Sequence, residues 1–257
     1  MLRLQGLSKT YSRSESKAVD SVDLEVRDGE IFGFLGPNGA GKTTTMKMVT
    51  GVLAPDSGSV SIDGIDLAAD PIAAKLRFGY VPDNPELWNK LKASEYLDFM
   101  GDIYRVSTAD RRARVGELSE RFAISDVLSS SIGSFSRGMK QKLFVIGSLI
   151  HDPGNWILDE PMVGLDPQAA FDLKELMRAR ASAGKCVFFS THVLEVAQRI
   201  CDRIAVIARG RLLFTGTIDE LRTLRQKTDA RAGDEDLEGL FLDLVDDSDS
   251  AGKGERQ

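Results

Sequence analysis

The chain is predicted to be an α/β protein with a mostly parallel sheet, an N-terminal antiparallel part and a helical insertion. Three observations predict this. A glycine-rich stretch, Gly36-Pro37-Asn38-Gly39-Ala40-Gly41-Lys42-Thr43, follows the apolar run Ile31-Phe32-Gly33-Phe34-Leu35 and precedes a helix-forming run from Thr44 to Val49. Beyond residue 137, apolar runs of strand length alternate with helical patterns, as expected of strands joined by crossover helices and buried on both faces. Between them, from about Ser94 to Ile124, the pattern is helical and carries no strand signal.

The elements follow in order. Leu2 to Leu7 and Ala18 to Val26 read as strands around a polar turn, Ser12-Arg13-Ser14-Glu15-Ser16, an antiparallel start. Ile31 to Leu35 reads as a buried strand, Gly58 to Ile65 as a short strand and turn, and Phe78 to Val81 as a strand stopped by Pro82. Ser94 is placed to cap a helix with Tyr96, Leu97, Met100, Ile103 and Tyr104 on one side. A second helix, Thr108 to Phe122, is rich in Arg and Glu. Both belong to an insertion over about 92–135, roughly 40 residues and too short for a long coiled-coil arm. Helix 138–150, strand 155–159, helix 167–182, strand 185–190, helix 193–200 and strand 203–207 complete the alternation. Thr217-Ile218-Asp219-Glu220 fits the capping box that starts a helix.

The bulk properties limit the function classes. With 257 residues, 42% hydrophobic and 28% charged, the chain has the composition of one large globular domain. It has no run of about 18 apolar residues, so no membrane span is expected, and the N-terminus lacks the apolar core of a signal peptide. Cys186 and Cys201 lie in apolar surroundings without metal-ligand spacing, which predicts buried free thiols in a reducing compartment. Of the net charge of −6, the stretch from Asp229 onward holds ten acidic and three basic side chains. The rest is near neutral, and no basic footprint for nucleic acid is expected. This acidic tail is expected to be partly mobile, with Leu237, Leu240, Phe241, Leu244 and Val245 spaced as one short amphipathic helix.

The chemistry is concentrated in a few stretches. G-x-x-x-x-G-K-T between a strand and a helix makes a cradle for polyphosphate. Its glycines let backbone N–H groups turn inward, the helix adds the positive end of its dipole, Lys42 adds a point charge, and the Thr43 hydroxyl is a ligand for Mg²⁺. The chain is therefore expected to bind a nucleoside triphosphate. Asn155-Trp156-Ile157-Leu158-Asp159-Glu160 is an apolar strand ending in two carboxylates, at the rim where open α/β sheets bind ligands. Asp159 is expected to reach Mg²⁺, and Glu160 to polarise or deprotonate the attacking water. Phe135-Ser136-Arg137-Gly138-Met139-Lys140-Gln141-Lys142 opens a helix capped by Ser136. Taken alone, that stretch reads first as an ordinary cap and is weak evidence for a phosphate-facing helix start.

The order of these stretches resembles an ATP-binding subunit of an ABC transporter, a P-loop NTPase. Phe135-Ser136-Arg137-Gly138-Met139 is similar to the family signature L-S-G-G-Q in variant form, Gly164-Leu165-Asp166-Pro167 to the D-loop, and Ser190-Thr191-His192 to the switch-histidine loop. Tyr11 matches the aromatic that stacks on adenine. The resemblance implies an ATPase domain over 1–226, followed by the acidic tail at 227–257. It implies ATP and Mg²⁺ as cofactors, with Tyr11, Gly36 to Thr44, Ser136, Arg137, Gly138 and Asp166 at the nucleotide. Thr43, Asp83 and Asp159 would be at the metal, and Lys42, Glu160 and His192 would take part in hydrolysis.

It also implies head-to-tail pairing with a second copy or a homologous subunit, each ATP lying between one phosphate loop and the other signature helix. A separate membrane permease would complete the transporter, with the chain on the cytoplasmic face of the membrane. One departure is Asp83 after Tyr80-Val81-Pro82, where most members have glutamine. With the variant signature, it resembles the bacterial subgroup that serves ABC-2-type permeases, mostly exporters. Trp88 is either a contact for the permease or a core residue. The other readings are a soluble ABC ATPase of translation or DNA repair, and a regulatory subunit that has lost hydrolysis. The single cassette, short insertion and absence of a basic surface disfavour the first; the intact Lys42, Asp159, Glu160 and His192 disfavour the second.

Overall fold

The computed structural model describes residues 1–12, 16–83 and 88–228. Its strands are β1 (Leu2–Thr10), β2 (Lys17–Val26), β3 (Ile31–Leu35), β4 (Ser57–Ile62), β5 (Ile65–Asp66), β6 (Phe78–Val81), β7 (Asn155–Leu158), β8 (Cys186–Thr191), β9 (Arg203–Ala208) and β10 (Arg211–Gly216). Its helices are α1 (Lys42–Val49), α2 (Pro71–Lys75), α3 (Ala93–Ile103), α4 (Thr108–Arg121), α5 (Arg137–Leu149), α6 (Pro167–Ser182), α7 (Leu194–Ile200) and α8 (Ile218–Thr228).

Two sheets form. One is antiparallel, in the order β2-β1-β4-β5; the other runs β10-β9-β3-β8-β7-β6. In the second, β9, β3, β8, β7 and β6 are parallel, and β10 pairs antiparallel at the edge. The pleat sends alternate side chains to opposite faces. Trp156, Leu158, Val187 and Phe189 pack with helical residues such as Phe144, Leu173 and Met177. Ile157, Cys186 and Phe188 pack with Leu2, Leu4, Val22 and Val60 of the antiparallel sheet. The parallel strands are therefore apolar on both faces because both are covered, and each fully buried large side chain contributes about 1.5–3 kcal/mol. Trp156, fully buried, satisfies its only donor by donating Nε1–H to Ser148 Oγ at 2.9 Å.

Register places the site. Leu35 pairs with Thr191, Leu158 with Phe189, and Val81 with Leu158. The carboxyl ends of β3, β8, β7 and β6 thus lie level along one edge, and each is followed by one of the stretches picked out in the sequence. The insertion between 92 and 135 holds α3 and α4. Tyr96 of α3 stacks on Phe144 of α5, with ring centroids 5.0 Å apart.

Several sequence expectations need adjusting. The N-cap of α3 is Lys92, not Ser94: the Glu95 carboxylate accepts from Lys92 N–H at 2.8 Å, and Ser94 lies inside the first turn. Ile103 is 49% exposed rather than packed with Tyr96 and Leu97, and it shares an open apolar face of α3 with Phe99. β10 and α2 were not anticipated. The first alternates poorly and lies at an edge; the second is five residues long, started by Asp70, whose carboxylate accepts from Ala73 N–H. The capping box at Thr217 forms as expected, with reciprocal bonds between Thr217 and Glu220. Cys186 is buried and Cys201 partly buried, both as free thiols. The tail from Asp229, with its amphipathic spacing, and Arg13 to Glu15 and Asn84 to Leu87 lie outside the described residues. Among the described residues no helix is long and apolar enough to cross a membrane.

Candidate functional site

The phosphate loop leaves β3 and enters α1 over a floor of main chain. A Cβ at Gly36 would run into the Ile207 carbonyl of β9, and one at Gly41 into the Ala18 carbonyl of β2. Gly41 also has φ +109°, a conformation open to glycine and costly for other residues. The floor is tied down by Gly210 N–H donating to Ala40 O at 2.9 Å and Asp20 N–H to Gly210 O at 2.8 Å. Above it, Ala18, Asn38, Gly39, Gly41, Lys42, Thr43, Thr44, Asp83 and Glu160 line a cavity of about 190 Å³.

Lys42 begins α1 and is almost fully buried. Its ammonium donates to Gly36 O at 2.7 Å and Pro37 O at 3.1 Å, and lies 3.3 Å from Glu160 Oε1. Carbonyls and one carboxylate are replaceable partners, and a phosphate oxygen offers this charge a stronger acceptor. Tyr11 is half-exposed beside the loop, its hydroxyl 3.4 Å from Thr44 Oγ1.

Asp159 and Glu160 follow β7 as expected, and the structure shows what holds them. Asp159 is completely buried and accepts from the Ser190 hydroxyl at 2.6 Å. Burial raises its carboxyl pKa, the neighbouring Ser190 and Thr43 hydroxyls offset part of the rise, and the Asp83 and Glu160 charges add to it. Glu160 has φ +47°, a left-handed conformation that a non-glycine residue adopts at a cost. Its N–H donates to Ser190 Oγ at 2.9 Å, which fixes the turn. Its carboxylate lies between Lys42 and His192, whose Nδ1–H donates to Oε2 at 3.0 Å. Ser190 is the residue that sequence reasoning undervalued. Its hydroxyl donates to the Asp159 carboxylate and accepts from the Glu160 N–H, and the signal was there: a hydroxyl interrupting the apolar run of β8 just before His192.

Among the described residues, Asp159 Oδ2 is buried with no hydrogen-bond partner, an arrangement that costs free energy unless a cation takes it up. A carboxylate beside the Thr43 hydroxyl is a hard-oxygen donor set that fits Mg²⁺. Among the described residues, no three His, Cys, Asp or Glu side chains form a group that would hold a metal by themselves. This is the usual case for Mg²⁺, which takes one or two protein ligands and completes its shell with phosphate and water.

The signature helix lies beside this edge. The Ser136 hydroxyl caps α5 by accepting from Met139 N–H at 3.2 Å. Gly138 packs against the Gly164 carbonyl, leaving no room for a side chain. Asp166 caps α6 through Ala169 N–H and pairs with Lys142 of α5 at 2.8 Å. One chain therefore brings together Lys42, Thr43, Asp83, Asp159, Glu160 and His192. Ser136, Gly138 and Asp166 are held as a second rigid group around α5 and α6. Asp83 both lines the cavity and accepts from Arg137 Nη2 at 3.1 Å.

The sequence family described as ABC transporter matches residues 19–163. The chain is similar to the ABC transporter ATP-binding protein NatA of Bacillus subtilis (strain 168), with 33% identity over 94% of this chain and 97% of that protein. It is also similar to the Nod factor export ATP-binding protein I of Ralstonia nicotianae, with 37% identity over 87% of this chain and 69% of that protein. Among solved structures, an ATP binding subunit of an ABC transporter superposes with TM-score 0.86 and 34% identity, covering 95% of this chain and 99% of that one. The cassette MJ0796, solved as a dimer in a post-hydrolysis state bound to ADP and Pi, superposes with TM-score 0.77 and 25% identity over 85% of this chain and 99% of that one.

Proposed function

The chain belongs to the ABC transporter family, and on that premise we propose that its nucleotide site works as half of a two-subunit clamp driving a separate permease. It is the ATP-binding and ATP-hydrolysing subunit. The observation that carries the roles of its residues is the levelling of four strand ends around one cavity. Backbone N–H groups from Gly39 to Thr43 and the Lys42 ammonium hold the β- and γ-phosphates, and Tyr11 stacks on the base. Thr43 and Asp159 hold Mg²⁺, which when bound neutralises charge on the phosphates. Glu160 orients the attacking water and accepts its proton, and His192 positions Glu160 through its Nδ1–H and senses the γ-phosphate.

Ser136 and Gly138, which are not among the residues lining the cavity around their own Lys42, are the groups that close on the nucleotide of the other subunit, with Asp166 at the seam. The MJ0796 dimer supports this pairing, and the partner is a second copy or a homologous subunit. The permease contact is assigned to the open apolar face of Trp88 (44% exposed), Phe99 (40%) and Ile103, in which the Trp88 and Phe99 rings lie 5.3 Å apart. Exposed aromatics of this kind anchor interfaces. Export is the direction supported by the Nod factor export relative, and docking on a permease places the chain on the inner face of the membrane. No observation favours a role in translation or DNA repair.

The test is release of inorganic phosphate by the purified chain with Mg²⁺ and ATP, alone and with its permease in vesicles. Parental protein is expected to turn over, and Lys42→Ala to lose at least 10²-fold, the scale of removing one transition-state charge contact. Parental protein that never releases phosphate in either setting sinks the reading.

A further inference from the structure

Two of the positions at which this chain departs from the family pattern bond to each other. Asp83 stands where the glutamine is usual, and Arg137 where the signature usually has glycine. The Arg137 guanidinium donates to Asp83 Oδ1 at 3.1 Å across 54 residues of sequence. The stem of Arg137 lies over Gly164, which has φ +82° and follows the Glu160 turn. Arg137 thus joins three stretches: its own signature helix, the D-loop glycine and the loop after β6. Asp83 also lines the cavity with Thr43 and Glu160, and its charge reaches Asp159.

We propose that Asp83 serves two cations in turn, the Arg137 guanidinium and the divalent ion at Thr43 and Asp159, so that loading the metal site frees Arg137. The proposal rests on the reading of Thr43 and Asp159 as metal holders given above. A glutamine at position 83 would be neutral and would bind an arginine weakly; a glycine at 137 would have nothing to offer Asp83. Charge at both positions makes sense as one unit. Opposite charges within hydrogen-bond distance hold each other, and a divalent cation offers the same carboxylate oxygen a larger charge. Both side chains are more than a third exposed, 54% for Arg137 and 41% for Asp83, so the pair is weak enough to be exchanged on binding. The freed guanidinium lies at the N-terminus of α5 beside Ser136 and Gly138, the groups assigned to the nucleotide of the other subunit. It would offer that triphosphate a planar donor fork, which a glycine there cannot. Arg137 is thus a positioning residue for the loop after β6 until the metal takes Asp83.

The test is a double-mutant cycle read by metal binding and not by turnover. Mn²⁺ is titrated into protein saturated with ADP, and free Mn²⁺ is followed by electron paramagnetic resonance. Arg137→Ala is expected to tighten Mn²⁺ binding about two- to five-fold, the range an exposed ion pair confers. Asp83→Asn is expected to weaken it, and Arg137→Ala is expected to change nothing further in the Asp83→Asn background. Unaltered or weaker binding in Arg137→Ala overturns the exchange, as does an equal gain with and without Asp83, or normal binding in Asp83→Asn. Parental protein that binds no Mn²⁺ with ADP overturns the metal site and the exchange with it, while phosphate release by the same preparation would leave the ATPase reading standing.

Discussion

Replacing Glu160 by glutamine separates the chemistry of this site from its binding. The amide has the shape of the carboxylate and keeps an oxygen to accept His192 Nδ1–H, so the turn fixed by Ser190 should survive. It cannot take a proton from water. Loss of a positioned general base costs about 10²–10⁴ in rate, or about 3–5.5 kcal/mol in barrier. Binding should move the other way. At 3.3 Å from Lys42, the Glu160 charge attracts the ammonium by about 5 kcal/mol at an effective dielectric of about 20. Most of that is offset by the desolvation of two nearly buried groups. If about 1 kcal/mol remains, removing this competitor for Lys42 tightens ATP binding about five-fold. The assay is phosphate release over hours, with ATP affinity by equilibrium titration and pairing by light scattering on a sizing column. Hydrolysis at the parental rate would remove Glu160 from its role. Slow hydrolysis with ATP binding weakened ten-fold would show that Glu160 supports Lys42 and does not compete for it.

Other substitutions test different parts of the fold. His151 stacks on Tyr104 with ring centroids 3.6 Å apart and bonds Phe78 O through Nε2, and burial holds its pKa down at about 4. A lowered pKa means that the unfolded chain takes up the proton first, so the stability is fully present above about pH 6.5 and is lost as pH falls toward 4. The loss reaches about 2 kcal/mol at pH 5, and His151→Phe, which keeps a stacked ring, should remove that slope in urea melts at pH 7 and pH 5; an unchanged slope rejects the assignment. Gly138→Ala must push the Gly164 turn away, with an overpacking cost of about 1–3 kcal/mol. It should lower the melting temperature by a few degrees and weaken ATP-dependent pairing, and a protein that melts and pairs like its parent would show that the contact is soft.

Much of this arrangement was legible because each stretch carries its own physical reason. The phosphate loop is bounded by a strand and a helix that have no other reading, and α6 runs over the span its pattern predicts, from Pro167 to Ser182. The strand β7 ends where its apolar run gives way to Asp159 and Glu160, and Glu160, at φ +47°, turns the chain out of the ladder. What escaped was set by tertiary contact. β10 is an edge strand whose burial depends on what lies beneath it, so its residues alternate weakly. The α3 cap went to a lysine because Glu95 reached back to its backbone, which no local rule for serine foresees. The bond between Asp83 and Arg137 joins positions 54 residues apart. In the sequence the two are linked only as shared marks of a subgroup, and only the packing of α5 beside β6 shows that they touch.

The floor beneath the phosphate loop belongs to neither sheet alone. Ala18 comes from the antiparallel sheet and Ile207 from the parallel one, and both present carbonyl oxygen where a methyl group would collide. The geometry of the cradle is therefore a joint property of two subdomains that meet under it. A substitution that tilts one sheet by a fraction of an ångström, in a strand remote from every ligand, should change how tightly triphosphate is gripped. Inhibitors or suppressor mutations could then tune this ATPase from beneath its cradle without touching a single residue that faces the nucleotide.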